Sequence, residues 1–252
     1  MSALQTLRQQ LADFNALNAA GAVMDWDFQT HMPPGGGEAR AEHVSALGRM
    51  AHELFTSDET RRALADAQPE NDDDVAMLRV VRREMDQRTK IPASLVEEKS
   101  RLTSLAHEEW VDARKRNDFA SFAPTLERIF ELVRQEAEHL GYTAHIYDAL
   151  VDLYEEGATH ADCVRMYETL KGPNVELVSA IAQQPKPDDS FLHGEWPIED
   201  QRRFTETLVQ AIGFDFGRGR QDTAAHPFCT NFSVGDVRLT TRFLNYLPSA
   251  LF

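Results

Sequence analysis

Apolar residues recur at the spacing of an α-helix through most of the first 213 positions. The clearest run lies between positions 122 and 140, where the spacing places one continuous apolar stripe on a helix. Its members are Phe122, Leu126, Ile129, Phe130, Val133, Ala137 and Leu140. Gly141 follows this stripe and suits a helix C-terminus, and similar stripes follow Pro92 and the acidic run 72–74. The pattern predicts a mainly α-helical protein, helical from residue 1 to about 213.

Local signals predict where several of these helices begin or end. Thr56 with Glu59, and Thr159 with Asp162, have the spacing of a capping box, in which each residue satisfies a free amide of the first helical turn. We expect Gly172-Pro173 to divide a later helical stretch, because proline lacks an amide donor and clashes with the preceding turn.

The pattern changes to that of a β-strand after residue 227. Apolar and polar side chains then alternate, in the order Val237, Arg238, Leu239, Thr240, Thr241, Arg242 and Phe243. Alternation with a period of two predicts a strand with one apolar face. The segment 228–232 is a candidate partner strand, with Val234-Gly235 in the turn. We therefore expect a small antiparallel β-ribbon over 226–243, followed at 244–252 by the truncated start of another helix.

Composition narrows the class of protein. The 252 residues are 42% hydrophobic, which suffices for one mostly helical unit over 1–252. The formal net charge of −15 argues against nucleic-acid partners and anionic membranes, since phosphates would be repelled. Cys163 and Cys229 are too few and too distant to indicate a disulfide framework. With no signal peptide and no apolar run of spanning length, we expect a cytoplasmic protein.

The predicted strand presents three polar side chains on one side. Asp236, Arg238 and Thr240 alternate along it, so a carboxylate, a guanidinium and a hydroxyl share one face. Arg238 could bind a substrate carboxylate through its planar fork, or could form a solvated salt bridge with Asp236. His226 precedes a proline, which disfavours helical backbone and leaves the imidazole in an extended or turn segment.

Other chemical constellations are weaker. Glu136 and His139 lie one helical turn apart, as in di-iron bundles, but the second pair that such a bundle needs is not evident. The glycines 35–37 lack the lysine and hydroxyl residue of a phosphate-binding loop. Trp26, between two aspartates, is interpreted as a half-buried anchor. The sequence supports no serine or cysteine triad.

Three ordered stretches together resemble the carboxypeptidase Taq family of thermostable metallocarboxypeptidases. They are Met-Asp-Trp-Asp at 24–27 continuing to Arg40 and on through 50–56; His-Leu-Gly-Tyr at 139–142 with Tyr-Asp-Ala-Leu at 147–150; and Gly-Phe-Asp at 213–215, Gly-Arg at 219–220, His-Pro-Phe at 226–228 and Asp-x-Arg-x-Thr at 236–240. Each stretch alone is weak, but the ordered set covers nearly the whole chain and is specific.

The resemblance implies a zincin-like helical fold with a deep groove and a small sheet beside a metal. It implies removal of C-terminal residues from peptides with zinc or cobalt, and a homodimer. His226, Asp236, Arg238 and Thr240 would line the substrate-binding site by their position in the motifs.

The sequence departs from the family pattern in lacking His-Glu-x-x-His. That motif places two histidines on one helical face to hold the metal, with the glutamate as general base. The stretches 52–56 and 107–111 begin with His-Glu but lack the second histidine. We therefore expect no metal ligand, no catalytic residue and no peptidase activity in this chain alone.

Two interpretations of the missing motif stay open. The chain could be the N-terminal half of a metallocarboxypeptidase, complemented by a C-terminal chain, or a non-catalytic homologue that binds peptide C-termini. Its apolar end predicts either self-association, as a two-fold dimer, or a C-terminal segment folded over the groove, since large exposed apolar patches are unusual on monomers. The residues concerned are Leu244, Leu247, Leu251 and Phe252.

Overall fold

The computed structural model describes residues 1–246, apart from the side chains at positions 104, 107 and 108. The helices of this part are α1 (Ala3–Thr30), α2 (Gly37–Phe55), α3 (Asp58–Asp66), α4 (Asp72–Lys90), α5 (Ala93–Arg116), α6 (Phe119–Leu140), α7 (Ile146–Val151), α8 (His160–Ala182) and α9 (Ile198–Ala211). The strands are β1 (Gly219–Thr223), β2 (Cys229–Ser233) and β3 (Asp236–Thr241). The predicted mainly α-helical fold with a small sheet near the C-terminus is confirmed. Of the helix start predicted at 244–252, positions 247–252 lie outside the described residues.

The chain divides into two compact units, one formed by Met1–Leu78 with Lys186–Phe252 and the other by Arg79–Pro185. The organisation as a single unit over 1–252 stays a prediction. Helix α4 contributes its beginning to the first unit and the rest to the second.

The first unit is organised around α1, which packs against α2, α3 and β2. Ser2 opens α1 with a capping box, in which Ser2 Oγ accepts from the Gln5 amide and Gln5 Oε1 accepts from the Ser2 amide. The buried apolar face of α1 meets α2 through Phe14 and Phe55, whose ring centroids lie 4.7 Å apart. This packing fixes the direction in which the far end of α1 reaches the sheet.

The small sheet has three strands in the order β1-β3-β2. Strands β2 and β3 form the predicted antiparallel ribbon, while β1 adds to β3 in parallel and was not predicted. Its sequence Gly-Arg-Gln-Asp-Thr has no apolar residue to alternate, so hydrophobic periodicity gave no signal. Gly219 permits the close approach of β1, because a Cβ there would lie 2.4 Å from Phe214 Cζ and 3.0 Å from the Val237 carbonyl oxygen.

Helix boundaries test the capping predictions. The capping box of Thr159 and Asp162 at the start of α8 is confirmed. The box predicted for Thr56 is wrong, since Thr56 closes α2 and donates its hydroxyl to the His52 carbonyl at 2.8 Å. Ser57, one residue later, has the extended backbone of an N-cap and accepts from the Thr60 amide at 3.1 Å.

The predicted break at Gly172-Pro173 is also wrong. Helix α8 runs without interruption from His160 to Ala182 with Pro173 inside it. Proline removes one amide donor, but the regular turns on both sides keep their own hydrogen bonds.

The second unit has its core where α6 meets α5 and α7. Ala137, Leu140 and Ala149 are buried there, with Ile146 and Leu150 packed around them. Within α6 the predicted stripe is displaced, because Leu132 is fully buried whereas Phe130 is 52% exposed. Apolar periodicity locates the centre of a helical stripe, but the neighbouring helix decides which flank is covered.

Replacing Leu132 with alanine should lower the free energy of unfolding by about 2–5 kcal/mol, because a fully buried leucine leaves a cavity. Phe130→Ala, two residues away, should cost much less despite its larger side chain. Chemical denaturation of both variants measures the difference, and equal losses would contradict the observed packing of α6.

The Asp148 carboxylate joins the start of α7 to the start of α8. It accepts hydrogen bonds from the amides of His160 at 2.7 Å, His145 at 2.9 Å and Ala144 at 3.4 Å. These donors, the His160 amide first, hold the pKa of Asp148 below its usual range.

Because the folded-state pKa of Asp148 is depressed, its stabilisation is complete above about pH 4 and is lost as the pH falls through the folded pKa. Asp148→Asn should therefore be less stable than the unmodified chain at pH 7, with the gap narrowing in acid. Thermal unfolding between pH 7 and pH 2.5 checks this. Glu168→Gln, at an exposed position of α8, is the matched control and should show no such gap.

Candidate functional site

The parallel pairing of β1 with β3 gathers polar side chains on one face of the sheet. In this register Arg220 lies opposite Arg238, and Asp222 lies opposite Thr240. Side chains of paired positions point to the same side of a sheet. Two arginines and an aspartate therefore share a surface although 18 residues separate the two arginines along the chain.

The end of α1 covers this surface with an aromatic ring. Trp26 is only 8% exposed, and the guanidinium carbons of Arg238 and Arg220 lie 5.0 and 5.4 Å from its ring centroid. Both distances are within the range of a cation–π interaction. His31, at the C-cap of α1, places its ring edge-on to Trp26 with centroids 5.3 Å apart. Trp26 is thus a buried contact surface rather than the predicted half-buried anchor.

Asp222 is the buried acid of this sheet face, with a side chain 5% exposed. Its Oδ1 accepts from Arg220 Nη2 at 2.5 Å and lies 3.0 Å from His31 Nε2. Arg220 Nη2 also lies 3.3 Å from His31 Nε2, so the three groups form a closed triangle. The second oxygen, Oδ2, is buried without a hydrogen-bond partner in the part of the chain that the structure describes.

Arg238 is held from several directions. Its Nη1 donates to the carboxylate of Asp236 and, at 3.2 Å, to the Val237 carbonyl. Its guanidinium carbon lies 5.0 Å from the ring of Phe232 as well as from that of Trp26. The side chain is only 16% exposed, whereas that of Asp236 is 46% exposed. The salt bridge considered from the sequence therefore forms, but its cation is mostly buried rather than solvated.

The other two predicted site residues have different surroundings. Thr240 is buried, and its hydroxyl accepts from the Phe228 amide at 2.7 Å and lies 2.9 Å from the Phe228 carbonyl oxygen. His226 is exposed, with Nδ1 3.0 Å from the Pro227 carbonyl oxygen. The structure thus brings Arg238 and Asp236 together, while His226 and Thr240 make separate contacts. Substrate binding by these four residues stays a prediction.

Sequence reasoning did not assign a site role to Trp26, His31, Arg220 or Asp222. Arg220 lies in one of the quoted motifs and Trp26 in another, but nothing local indicates that the two meet. The available signal for Arg220 and Asp222 was their alternation, which places both on one face if the segment is a strand.

A metal centre requires several ligating side chains to converge on one point. Across residues 1–246, excepting the three side chains not described, no group of three or more histidine, cysteine, aspartate or glutamate side chains does so. The described residues therefore do not fit the metal that the resemblance implies, and no chemical step is assigned to one. None of the described helices is both long and apolar enough to cross a bilayer.

Comparison with known proteins gives one family. The model of the carboxypeptidase Taq (M32) metallopeptidase family matches residues 6–252. Carboxypeptidase 1 of Bacillus subtilis is 35% identical over 230 residues, which cover 89% of this chain and 46% of the relative. Thermostable carboxypeptidase 1 of Pyrococcus furiosus is 34% identical over 251 residues, which cover 96% of this chain and 50% of the relative.

Solved structures agree with the sequence relatives. The M32 carboxypeptidase of Deinococcus radiodurans matches with a TM-score of 0.89 and 30% identity, over 99% of this chain and 51% of that one. The carboxypeptidase of Pyrococcus furiosus matches with a TM-score of 0.86 and 32% identity, over 98% of this chain and 52% of that one. The chain spans about half the length of these relatives. It belongs to the carboxypeptidase Taq (M32) metallopeptidase family, which confirms the resemblance.

Because the Thr240 hydroxyl accepts from the Phe228 amide, Thr240→Val should destabilise the protein by about 1–3 kcal/mol, as expected when a partly buried main-chain amide loses its acceptor. Thr240→Ser keeps the hydroxyl and should recover most of the loss. Urea denaturation measures both variants. A Thr240→Val variant as stable as the unmodified chain would show that the hydroxyl is not structural and would favour a substrate contact.

Proposed function

We propose that this chain supplies recognition of the peptide C-terminal carboxylate in a metal-dependent carboxypeptidase. The observation that carries the proposal is the position of Arg238, fixed on the sheet face between a carboxylate and two aromatic rings. Family membership supports the reaction class, and the geometry around Arg238 supports carboxylate recognition as the part of the task proposed for it.

The surroundings of Arg238 favour a preorganised anion-binding group. A desolvated guanidinium–aromatic contact contributes about 2 kcal/mol, which is comparable with the rotamer entropy of about 2 kcal/mol that a fixed arginine loses. The contacts with Trp26 and Phe232 therefore offset the cost of holding the side chain still. Within the described residues its side-chain hydrogen bonds all come from Nη1, so Nη2 remains to donate to a ligand.

Recognition of a carboxylate is the property that separates a carboxypeptidase from an endopeptidase. A peptide C-terminus carries a negative charge that an internal peptide bond lacks, and a guanidinium fork matches the two oxygens of a carboxylate. Amidation of the C-terminus removes that charge while leaving the side chains of the peptide unchanged. The preference for a free acid over its amide is therefore the direct measure of this function.

Hydrolysis needs more than the groups described above. In this family a metal ion, for which zinc or cobalt is our proposal, supplies the electrophile and the activated water. The 252 residues contain no His-Glu-x-x-His. We infer that the chain by itself binds peptide C-termini without cleaving them, and that cleavage needs ligands from a complementing C-terminal half. The second candidate is a non-catalytic peptide-binding homologue, which the surroundings of Arg238 favour equally.

Self-association is part of the same proposal. None of the residues of α8 is buried, and apolar side chains along it are 44–64% exposed. They are Val164, Met166, Tyr167, Leu170, Val175, Leu177, Val178 and Ile181. Exposed apolar area of this kind supports the expected homodimer or an association with the complementing half.

Isothermal titration with an N-acetylated dipeptide and with its C-terminal amide tests Arg238. The unmodified chain should bind the acid about tenfold or more tightly than the amide, the effect expected of a charged hydrogen bond. Arg238→Gln should reduce the preference about tenfold, and Arg238→Lys should keep more of it because it retains charge without the fork.

Arg218 provides the matched control, since it is 67% exposed and pairs with Asp215. Arg218→Gln should preserve the preference for the acid. Equal binding of acid and amide by the unmodified chain would contradict carboxylate recognition. Release of C-terminal residues by the chain alone, in the presence of zinc or cobalt, would contradict the inferred lack of cleavage.

A further inference from the structure

We propose that Arg220 is a second carboxylate-binding arginine and that Trp26 is the surface on which Arg220 and Arg238 are placed side by side. The terminal carboxylate of a peptide would then lie between two guanidinium groups rather than against one. This inference rests on the proposed function and adds to it a second ligand group and the residues that position it.

The sheet places the two cations on adjacent strands. Arg220 and Arg238 are directly paired across adjacent strands, which lie about 4.8 Å apart in a sheet. Both guanidinium carbons also lie within 5.4 Å of the ring centroid of Trp26. Two guanidinium groups from adjacent strands therefore contact the same buried indole.

Each of the two arginines already has an aspartate as its partner. Asp222 pairs with Arg220, and Asp236 pairs with Arg238, so each carboxylate serves its own arginine. Neither of the two carboxylates bridges the pair. Within the described residues the side-chain hydrogen bonds of Arg220 all come from Nη2 and those of Arg238 all come from Nη1. Each guanidinium thus keeps donors that its own partner does not use.

The two arginines differ in how far solvent reaches their side chains. The Arg220 side chain is 52% exposed, whereas Arg238 is 16% exposed. A ligand arriving from solvent would meet Arg220 first and Arg238 deeper in the cluster. Asp222, 5% exposed, fixes Arg220 from the protein side and still has an unpartnered buried oxygen. Asp222 is therefore a positioning residue for Arg220, together with His31.

A purely structural role is the competing explanation for Arg220. It would neutralise the buried charge of Asp222 and would have no contact with substrate. The two roles predict different effects of substituting Arg220. Loss of a structural role lowers stability and changes the affinities for acid and amide alike, whereas loss of a carboxylate contact lowers the affinity for the acid alone. The preference for acid over amide, measured on folded variants, separates them.

The test is titration of the full chain with the N-acetylated dipeptide acid and its amide. Arg220→Gln should weaken binding of the acid about tenfold and leave binding of the amide unchanged, as expected when one charged hydrogen bond is lost. The affinity of Arg220→Lys for the acid should lie between those of the unmodified chain and of Arg220→Gln, because lysine keeps the charge without the planar fork. Asp222→Asn should weaken binding of the acid less than Arg220→Gln does, since Arg220 loses its ion-pair partner but is still present.

Nuclear magnetic resonance of the ¹⁵N-labelled indole groups gives a second readout. The Trp26 indole signal, assigned by its loss in Trp26→Phe, should shift on addition of the acid but not of the amide. The indole signals of Trp110 and Trp196 are internal references and should stay in place. Retention of the Trp110 and Trp196 signal positions in Arg220→Gln, before ligand is added, shows that the variant is folded.

The outcomes separate this inference from the function on which it rests. If Arg238→Gln loses the acid preference while Arg220→Gln and Arg220→Lys keep it, as the Arg218→Gln control does, the second arginine is overturned and carboxylate recognition stands. If the unmodified chain shows no acid preference, both are overturned. If Arg220→Gln loses affinity for the acid and for the amide by the same factor, the role of Arg220 is structural and the inference is wrong.

Discussion

The parallel pairing of β1 with β3 is the constraint on which the candidate site depends. This register sets Arg220 beside Arg238 and Asp222 beside Thr240, and it exists because Gly219 lets the backbone of β1 approach the carbonyl of Val237. Without β1 the ribbon of β2 and β3 would carry a single arginine with its own aspartate, an arrangement common on protein surfaces. With β1 the same face carries two arginines, each paired with an aspartate and each in contact with the Trp26 ring.

The second constraint is the packing of α1, which carries an aromatic ring to that face. Helix α1 is fixed at its beginning by the cap at Ser2 and along its length by contacts with α2 and α3. Its last turn therefore reaches the sheet at a defined place and presents Trp26 and His31 to the arginines. The guanidinium–indole contacts are individually small, but they act on side chains whose freedom is already restricted. Preorganisation of this kind lowers the cost of binding a ligand.

Family membership and the content of this chain give different information about function. The sequence and structural relatives are carboxypeptidases, and the chain spans about half their length. The described residues offer a cluster suited to a carboxylate and no convergent set of metal ligands. Recognition of the peptide terminus is what we propose for this cluster.

The sequence by itself determined the helical class, the ribbon of β2 and β3, the cap at Thr159 and the family, because each depends on local spacing or on an ordered set of motifs. The tertiary structure alone decided that Leu132 rather than Phe130 is buried, that β1 joins the sheet, and that α8 continues through Pro173. It also decided the contact of His31 with Asp222, two residues 191 positions apart. Local patterns record which side chains share a face of one element, whereas the partner of that face is set by packing between distant segments.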